Sequence, residues 1–74
     1  MKILLTNHHL NTWGGSETWV LTVYNELKKL HTVDVFAIVK GGGVSDQIPT
    51  VVPNSDYDLI LCNHNSCFEK VKHL

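Results

Sequence analysis

The apolar and polar positions of this 74-residue chain form two different patterns near its start. Met1 to Thr6 is apolar at nearly every position, which is typical of a strand buried on both faces of a sheet. From Thr18 to Leu30 the sequence TWVLTVYNELKKL instead has apolar residues at helical spacing. These apolar residues are Val20, Val23, Leu27 and Leu30. The chain therefore begins with a predicted strand, followed by an amphipathic helix of about four turns.

Further apolar runs predict the later elements. Val33 to Val39 and Leu59 to Asn63 are typical of buried strands. A short strand is expected over Ile48 to Val52, although prolines stand within and beside it. The glycine-rich stretch 41–47, GGGVSDQ, indicates a flexible connector, and Ser66 to Leu74 indicates the start of a helix.

The order strand, helix, strand, strand, helix is typical of an α/β protein with a parallel sheet. A right-handed crossover places the first two strands side by side, and the later strand lies on the other side of the first. We therefore predict a Rossmann-like parallel sheet with flanking helices. Three polar segments fall on one edge of this sheet: His8-His9, Gly14-Gly15 and Asn63-His64. Ligands of such sheets bind at that edge.

Composition excludes several classes of function. The chain has 43% hydrophobic residues, a net charge of −1, no arginine and scattered lysines, so a nucleic-acid partner is not expected. The apolar run after Met1 is too short for a signal peptide or a membrane span, which predicts a soluble, cytoplasmic protein. Cys62 and Cys67 lack the spacing of a zinc site, and we expect reduced thiols, with Cys62 in a core strand.

The stretch 13–17, WGGSE, joins the first strand to the first helix and allows two interpretations. Gly14 and Gly15 either form a tight turn that requires positive φ, or leave the backbone open to an anion at the helix start. Ser16 is the expected N-cap, and Glu17 lies in the first turn, where the helix dipole favours its charge. Glu17 would repel an anion unless its side chain points away.

The sequence disfavours a dinucleotide site, a P-loop and a metal site. The dinucleotide fingerprint and the lysine-bearing P-loop are absent, and Lys40 follows the second strand where a dehydrogenase has an acidic residue. No metal site is predicted, because His8, His9 and His64 have no carboxylate at ligand spacing. These histidines are expected to be polar residues of the sheet edge. Asp56 and Asp58 are expected to be solvated turn residues.

The segments M-K-I-L-L, G-G-S-E, E-L-K-K-L, H-T-V-D-V-F-A-I-V and D-L-I-L-C-N-H together resemble the opening of GT-B glycosyltransferases. The likeness is to glycosyltransferase family 4 and spans the whole chain. It implies two facing nucleotide-fold domains with the active site in the cleft between them. A nucleotide-sugar donor and a sugar or other acceptor would be the substrates, with no separate cofactor and no metal.

The resemblance also implies roles for individual residues. The glycine loop, Gly14, Gly15 and the adjoining Ser16, would approach the donor diphosphate. The family histidine after the later strand matches His64, which would lie near the transferred sugar as the catalytic candidate. Family members often place that histidine one position earlier, so Asn63 is the alternative occupant.

On this resemblance, residues 1–74 are expected to be a partial N-terminal, acceptor-side domain with no second domain. Such a chain would be inactive alone and would require a C-terminal domain or a homo-oligomer. The alternative is a small non-catalytic nucleotide- or anion-binding α/β module, or a domain used only for association.

Overall fold

A computed structural model describes residues 1–54, 56–63 and 65–73, with only the backbone of Asn65 included. The elements in chain order are β1 (Lys2–His9), α1 (Gly15–Leu27), β2 (Thr32–Val39), a 3₁₀ turn (Gly43–Asp46), β3 (Leu59–Cys62) and α2 (Asn65–Val71). This order confirms the predicted α/β class.

The sheet has three parallel strands in the order β2-β1-β3, which confirms the predicted central position of the first strand. Leu5 is paired with Val35 on one side and Leu61 on the other. Ile3 and Leu5 pack with Val20 of α1 in the main core. Leu4 is also fully buried. Because β1 is covered on both faces, its sequence is continuously apolar rather than alternating.

The first strand is longer than predicted. It continues to His9, which is paired with Val39, because β2 extends equally far alongside it. Successive side chains then point to opposite faces. Asn7 and His9 lie on the α1 face, where they contact Ser16 and Glu17. His8 and His9, expected beyond the strand, are its last two residues.

The boundaries of the first helix also differ from the prediction. The N-cap is Gly14 rather than Ser16, and the helix ends at Leu27. Lys28 and Lys29 therefore follow the last turn instead of lying within it. Leu30, predicted to belong to the apolar stripe, is 84% exposed because the chain has already left the helix to enter β2.

The strand predicted over Ile48 to Val52 is wrong. Ile48 is buried and Val51 donates its N–H to Val35 O at 2.9 Å, but this stretch has no regular structure. Pro49 and Pro53 provide no N–H groups, so the stretch lies along β2 without forming a continuous ladder.

The connector 41–47, predicted to be flexible, has a defined conformation. Gly41, Gly42 and Gly43 have φ values of 107°, 81° and 56°. Val44 N donates to Thr12 O at 3.1 Å, and Ser45 N donates to Leu10 O at 2.8 Å. The three glycines let the connector fold against the chain that follows β1, which composition alone did not indicate.

The two cysteines are free, but Cys62 does not lie in the core as predicted. Cys62 ends β3 and is exposed because β3 is an edge strand, whereas Cys67 of α2 is buried. Burial raises the pKa of the Cys67 thiol.

Beside the opposite end of the sheet, Asp58 and Tyr57 hold the chain that enters β3. Asp58 Oδ2 accepts the Lys2 N–H at 2.8 Å, and Asp58 N donates to Lys2 O at 2.8 Å. The Tyr57 hydroxyl donates to Asp34 Oδ2 at 2.7 Å. Burial, followed by this hydrogen bond, raises the pKa of Tyr57. These contacts place β3 in register with β1. Asp56 and Asp58 are both exposed, as predicted for turn residues.

Substitution of Gly43 by alanine tests the defined connector. A Cβ atom there would lie 2.4 Å from Thr12 N and 2.5 Å from Asn11 C, at a φ of +56°. Strain and overlap together are expected to lower the free energy of unfolding by about 2–4 kcal/mol. Urea denaturation measures this loss. The matched control is Gly15→Ala, where a Cβ atom meets nothing within 4 Å and the change is expected to stay within about 1 kcal/mol. Equal losses of unfolding free energy in the two variants would contradict the defined conformation of the connector at Gly43.

Candidate functional site

The candidate site is the edge of the sheet where β1 and β3 end and α1 begins. Gly14 has φ −68° and ψ 178°, which is ordinary extended backbone. Among the described glycines, positive φ occurs at residues 41 to 43 and not at Gly15. The interpretation that Gly14 and Gly15 form a turn requiring positive φ is therefore wrong.

The two glycines of the loop have different surroundings. A Cβ atom on Gly14 would lie 2.6 Å from Glu17 Oε2, so this glycine makes room for the carboxylate of its own helix. A Cβ atom on Gly15 would meet nothing within 4 Å. Packing thus explains Gly14, whereas neither packing nor backbone conformation requires glycine at position 15.

The Glu17 side chain folds back onto the start of α1 and is only 3% exposed. Its Oε2 accepts hydrogen bonds from Gly14 N at 2.9 Å and from the Thr12 hydroxyl. Its Oε1 accepts one from the Ser16 hydroxyl at 2.5 Å and lies 3.4 Å from His9 Nε2. Three hydrogen-bond donors of the loop and the helix, and one contact from the strand end, therefore converge on a single carboxylate.

These contacts keep the carboxylate ionised. Hydrogen bonds from Ser16 and Thr12 are the main causes that lower the pKa of Glu17 to about 2, while burial acts in the opposite direction. The Gly14 amide and His9 add smaller contributions. A fixed negative charge therefore lies in the first turn, where the helix dipole favours it.

This geometry determines which amides face solvent. Glu17 takes the Gly14 N–H, so that donor is already used. In the described part of the chain, the N–H groups of Gly15 and Ser16 have no hydrogen-bond acceptor, as is usual for the first turn of a helix. Both residues are exposed. Gly15 and Ser16 thus provide the donors available to an anion, next to the space beside Gly15.

Asn7 connects the helix start to β3. It is buried, and its Nδ2 donates to His9 O at 2.9 Å and contacts Ser16 Oγ at 3.4 Å. Its Oδ1 accepts from Asn63 Nδ2 at 3.2 Å, and Asn63 N donates to Thr6 O at 3.3 Å. The structure therefore brings Ser16 and Asn63, two predicted site residues, into one hydrogen-bonded network.

The rings of His8 and His9 contact each other edge-on, with centroids 5.6 Å apart, but their polar partners differ. His8 lies on the α2 face of the sheet, with its Nδ1 2.8 Å from Ser66 Oγ, whereas His9 faces Glu17. His64, the predicted catalytic residue, lies outside the described residues. The choice between His64 and Asn63 as the match to the family histidine therefore stays a prediction from the sequence. Within the described ranges, no group of three or more His, Cys, Asp or Glu side chains is arranged to hold a metal ion.

Sequence reasoning missed Asn7, Thr12 and the contact between His9 and Glu17. One signal was present: Glu17 stands three residues after Gly14, the spacing at which a side chain reaches back to its N-cap. Placing the N-cap at Ser16 concealed it. The role of Asn7 follows from the alternation of β1, once that strand is extended to His9.

Comparison of the chain with protein-family models, curated proteins and solved structures gives no match. None of the described helices is both long and apolar enough to cross a membrane. The described residues form no enclosed pocket, so the site is an open surface.

Replacement of Glu17 by glutamine tests its structural role. The shape is kept but the charge is lost, and the free energy of unfolding at neutral pH is expected to fall by about 1–3 kcal/mol. The carboxylate has a pKa of 4.5 before folding and about 2 in the fold. Its stabilisation is complete above pH 4.5 and is lost as the pH falls through 2. Denaturation at several acidic pH values should show a weaker pH dependence in Glu17→Gln than in the parent.

The matched control is Glu26→Gln in the same helix. Its side chain is 70% exposed and pairs with Lys29, so its loss is expected to cost about 0–0.5 kcal/mol. Indistinguishable stability and pH profiles for the two variants would contradict the central position of Glu17.

Proposed function

We propose that this chain is the N-terminal segment of a GT-B glycosyltransferase of the family 4 type. In this proposal, the start of α1 receives the diphosphate of a nucleotide-sugar donor. The supporting observation is Gly15, which neither φ nor packing requires, beside the available amides of Gly15 and Ser16. The parallel order β2-β1-β3 agrees with the nucleotide-binding fold that the resemblance implies.

The energies of the attractive and repulsive contacts indicate that this site binds a diphosphate weakly. Each hydrogen bond from an amide to a phosphate oxygen contributes about 1.5–3 kcal/mol. A phosphate charge about 5 Å from Glu17 is repelled by about 3 kcal/mol at an effective dielectric constant of about 20. The Gly15 and Ser16 amides therefore offset that repulsion with little to spare. Tight donor binding in the proposed enzyme requires further contacts from the opposite wall of the cleft.

The amides would act on the leaving group. As the sugar is transferred, negative charge grows on the departing nucleoside diphosphate. Fixed N–H donors at a helix start stabilise such charge without having to reorganise. Asn63 is exposed at the end of β3 and held by Asn7, which suits it to contact the transferred sugar. His64 remains the proposed catalytic residue.

The second candidate is a non-catalytic nucleotide- or anion-binding module, or an association domain. Exposed apolar side chains around the site favour a role in association. Trp13, directly before the glycine loop, is 58% exposed, and Trp19 of α1 is 47% exposed. In the proposed transferase, these side chains would face the acceptor or the opposite wall.

A titration with uridine diphosphate tests the diphosphate site. Millimolar ligand is expected to shift the amide resonances of Gly15 and Ser16. Gly15→Val should weaken binding about tenfold by filling the space beside the loop, a change of about 1.4 kcal/mol. The free energy of unfolding should change by less than about 1 kcal/mol, because valine costs little at an exposed helical position.

Asn25→Val is the matched control, since it introduces the same side chain at an exposed position of the same helix. It should leave uridine diphosphate binding unchanged. Absent shifts at Gly15 and Ser16, or equal loss of binding in both variants, would contradict the diphosphate site.

The 74-residue chain alone is expected to transfer no sugar. The described site is one open wall, whereas catalysis requires the donor and acceptor to be held together with water excluded. An assay against several nucleotide sugars, with the mass in solution measured in parallel, checks this. Turnover by a monomer would show that the second wall is not needed.

A further inference from the structure

His9 is held in place from several directions at the edge of the sheet. Its backbone is paired with Val39, and its carbonyl oxygen accepts the Asn7 Nδ2–H at 2.9 Å. Its Nε2 lies 3.4 Å from Glu17 Oε1, while 43% of the side chain remains exposed. A histidine that is both fixed and accessible is well suited to contact a ligand.

The charge of Glu17 bears on which ring nitrogen of His9 carries hydrogen. An ionised carboxylate only accepts hydrogen bonds, and the low pKa of Glu17 keeps it ionised. The ring nitrogen that faces this carboxylate is Nε2, at 3.4 Å from Oε1, so the negative charge favours the tautomer that carries hydrogen on Nε2. In the neutral ring the other nitrogen, Nδ1, is then an acceptor. Within the described residues, Nδ1 has no hydrogen-bond partner.

We propose that His9 contacts the ligand of this site, with Glu17 holding its ring as the Nε2–H tautomer so that Nδ1 accepts a hydrogen bond from a hydroxyl group of a neutral sugar. Glu17 is in this respect a positioning residue. The identity of the ligand rests on the proposed function, whereas the tautomer rests on the contact between His9 and Glu17.

A neutral hydroxylated ligand fits the surrounding groups. A hydroxyl group donates to Nδ1, which an anionic oxygen cannot do. The fixed charge of Glu17 repels an anion but not a neutral sugar. Asn63 lies in the same network through Asn7, with its Oδ1 available as a further acceptor in the described part of the chain. The sugar would thus lie on the His9 and Asn63 side, and the diphosphate beside Gly15.

Long-range proton–nitrogen NMR spectra of the labelled 74-residue chain, recorded at about pH 8, test the tautomer. His9→Asn identifies the His9 signals by their loss. His9 is expected to be almost entirely in the Nε2–H form. His73, which is exposed, serves as the internal reference for an unrestrained mixture. Equal tautomer ratios at His9 and His73 would overturn the proposal.

Titration with methyl glucoside tests the ligand. The Nδ1 signal of His9 should shift while the signals of His73 do not. Glu17→Gln should return His9 to the mixture seen at His73 and weaken the glucoside effect about 2- to 10-fold, as expected for one lost hydrogen bond. Glu26→Gln should leave the tautomer ratio of His9 and the glucoside effect unchanged. Absence of a glucoside shift at His9 in the parent chain overturns the proposal.

His9→Asn keeps the test decisive if Glu17→Gln fails to fold. Its expected result is a comparable loss of the glucoside shift at the Asn63 amide, and an unchanged shift would overturn the proposal. The two hypotheses fail separately. Loss of uridine diphosphate shifts at Gly15 and Ser16 would overturn the diphosphate site, whereas the tautomer and glucoside results decide the role of His9.

Discussion

The carboxylate of Glu17 is the interaction on which the arrangement of this sheet edge depends. It accepts hydrogen bonds from Thr12, Gly14 and Ser16 and contacts His9, so one side chain connects the end of β1, the loop and the first turn of α1. A buried charge is stable only when it is satisfied in this way. The same contacts fix the direction in which α1 leaves the sheet and orient the amides that follow Gly14.

The two groups of glycines, 14–15 and 41–43, have different physical roles. Gly43 has positive φ and approaches the backbone of Asn11 and Thr12, so it is required by the fold. Gly14 has ordinary dihedral angles and makes room for Glu17, while Gly15 has open space beside it. The connector 41–47 therefore packs against the chain segment that carries Thr12. The loop at Gly14 leaves the amides of Gly15 and Ser16 uncovered. The glycine that the fold requires, Gly43, and the glycine beside the candidate site, Gly15, therefore lie in different segments.

Local patterns in the sequence predicted the strands and the first helix, because burial on both faces and helical periodicity are encoded residue by residue. The connection rules of parallel sheets then predicted the fold class and the central position of the first strand. The two strand predictions that failed have different causes. The end of β1 depends on pairing with Val39, and the stretch near Val51 depends on prolines that interrupt a ladder. Topology predicted that Gly14, Gly15 and Asn63 lie at one edge of the sheet, but the Asn7 network required knowledge of which face each side chain takes.

The arrangement of this sheet edge requires Glu17 to be an ionised, hydrogen-bonded carboxylate in the folded chain. The most direct test is to follow its carboxyl carbon resonance during an acid titration, reading only the signals of the folded form. The structure predicts little change in this resonance until the pH approaches the pKa of about 2. A titration midpoint near 4.5, the value of an unperturbed glutamate, would show that Glu17 does not hold the strand end, the loop and the helix together.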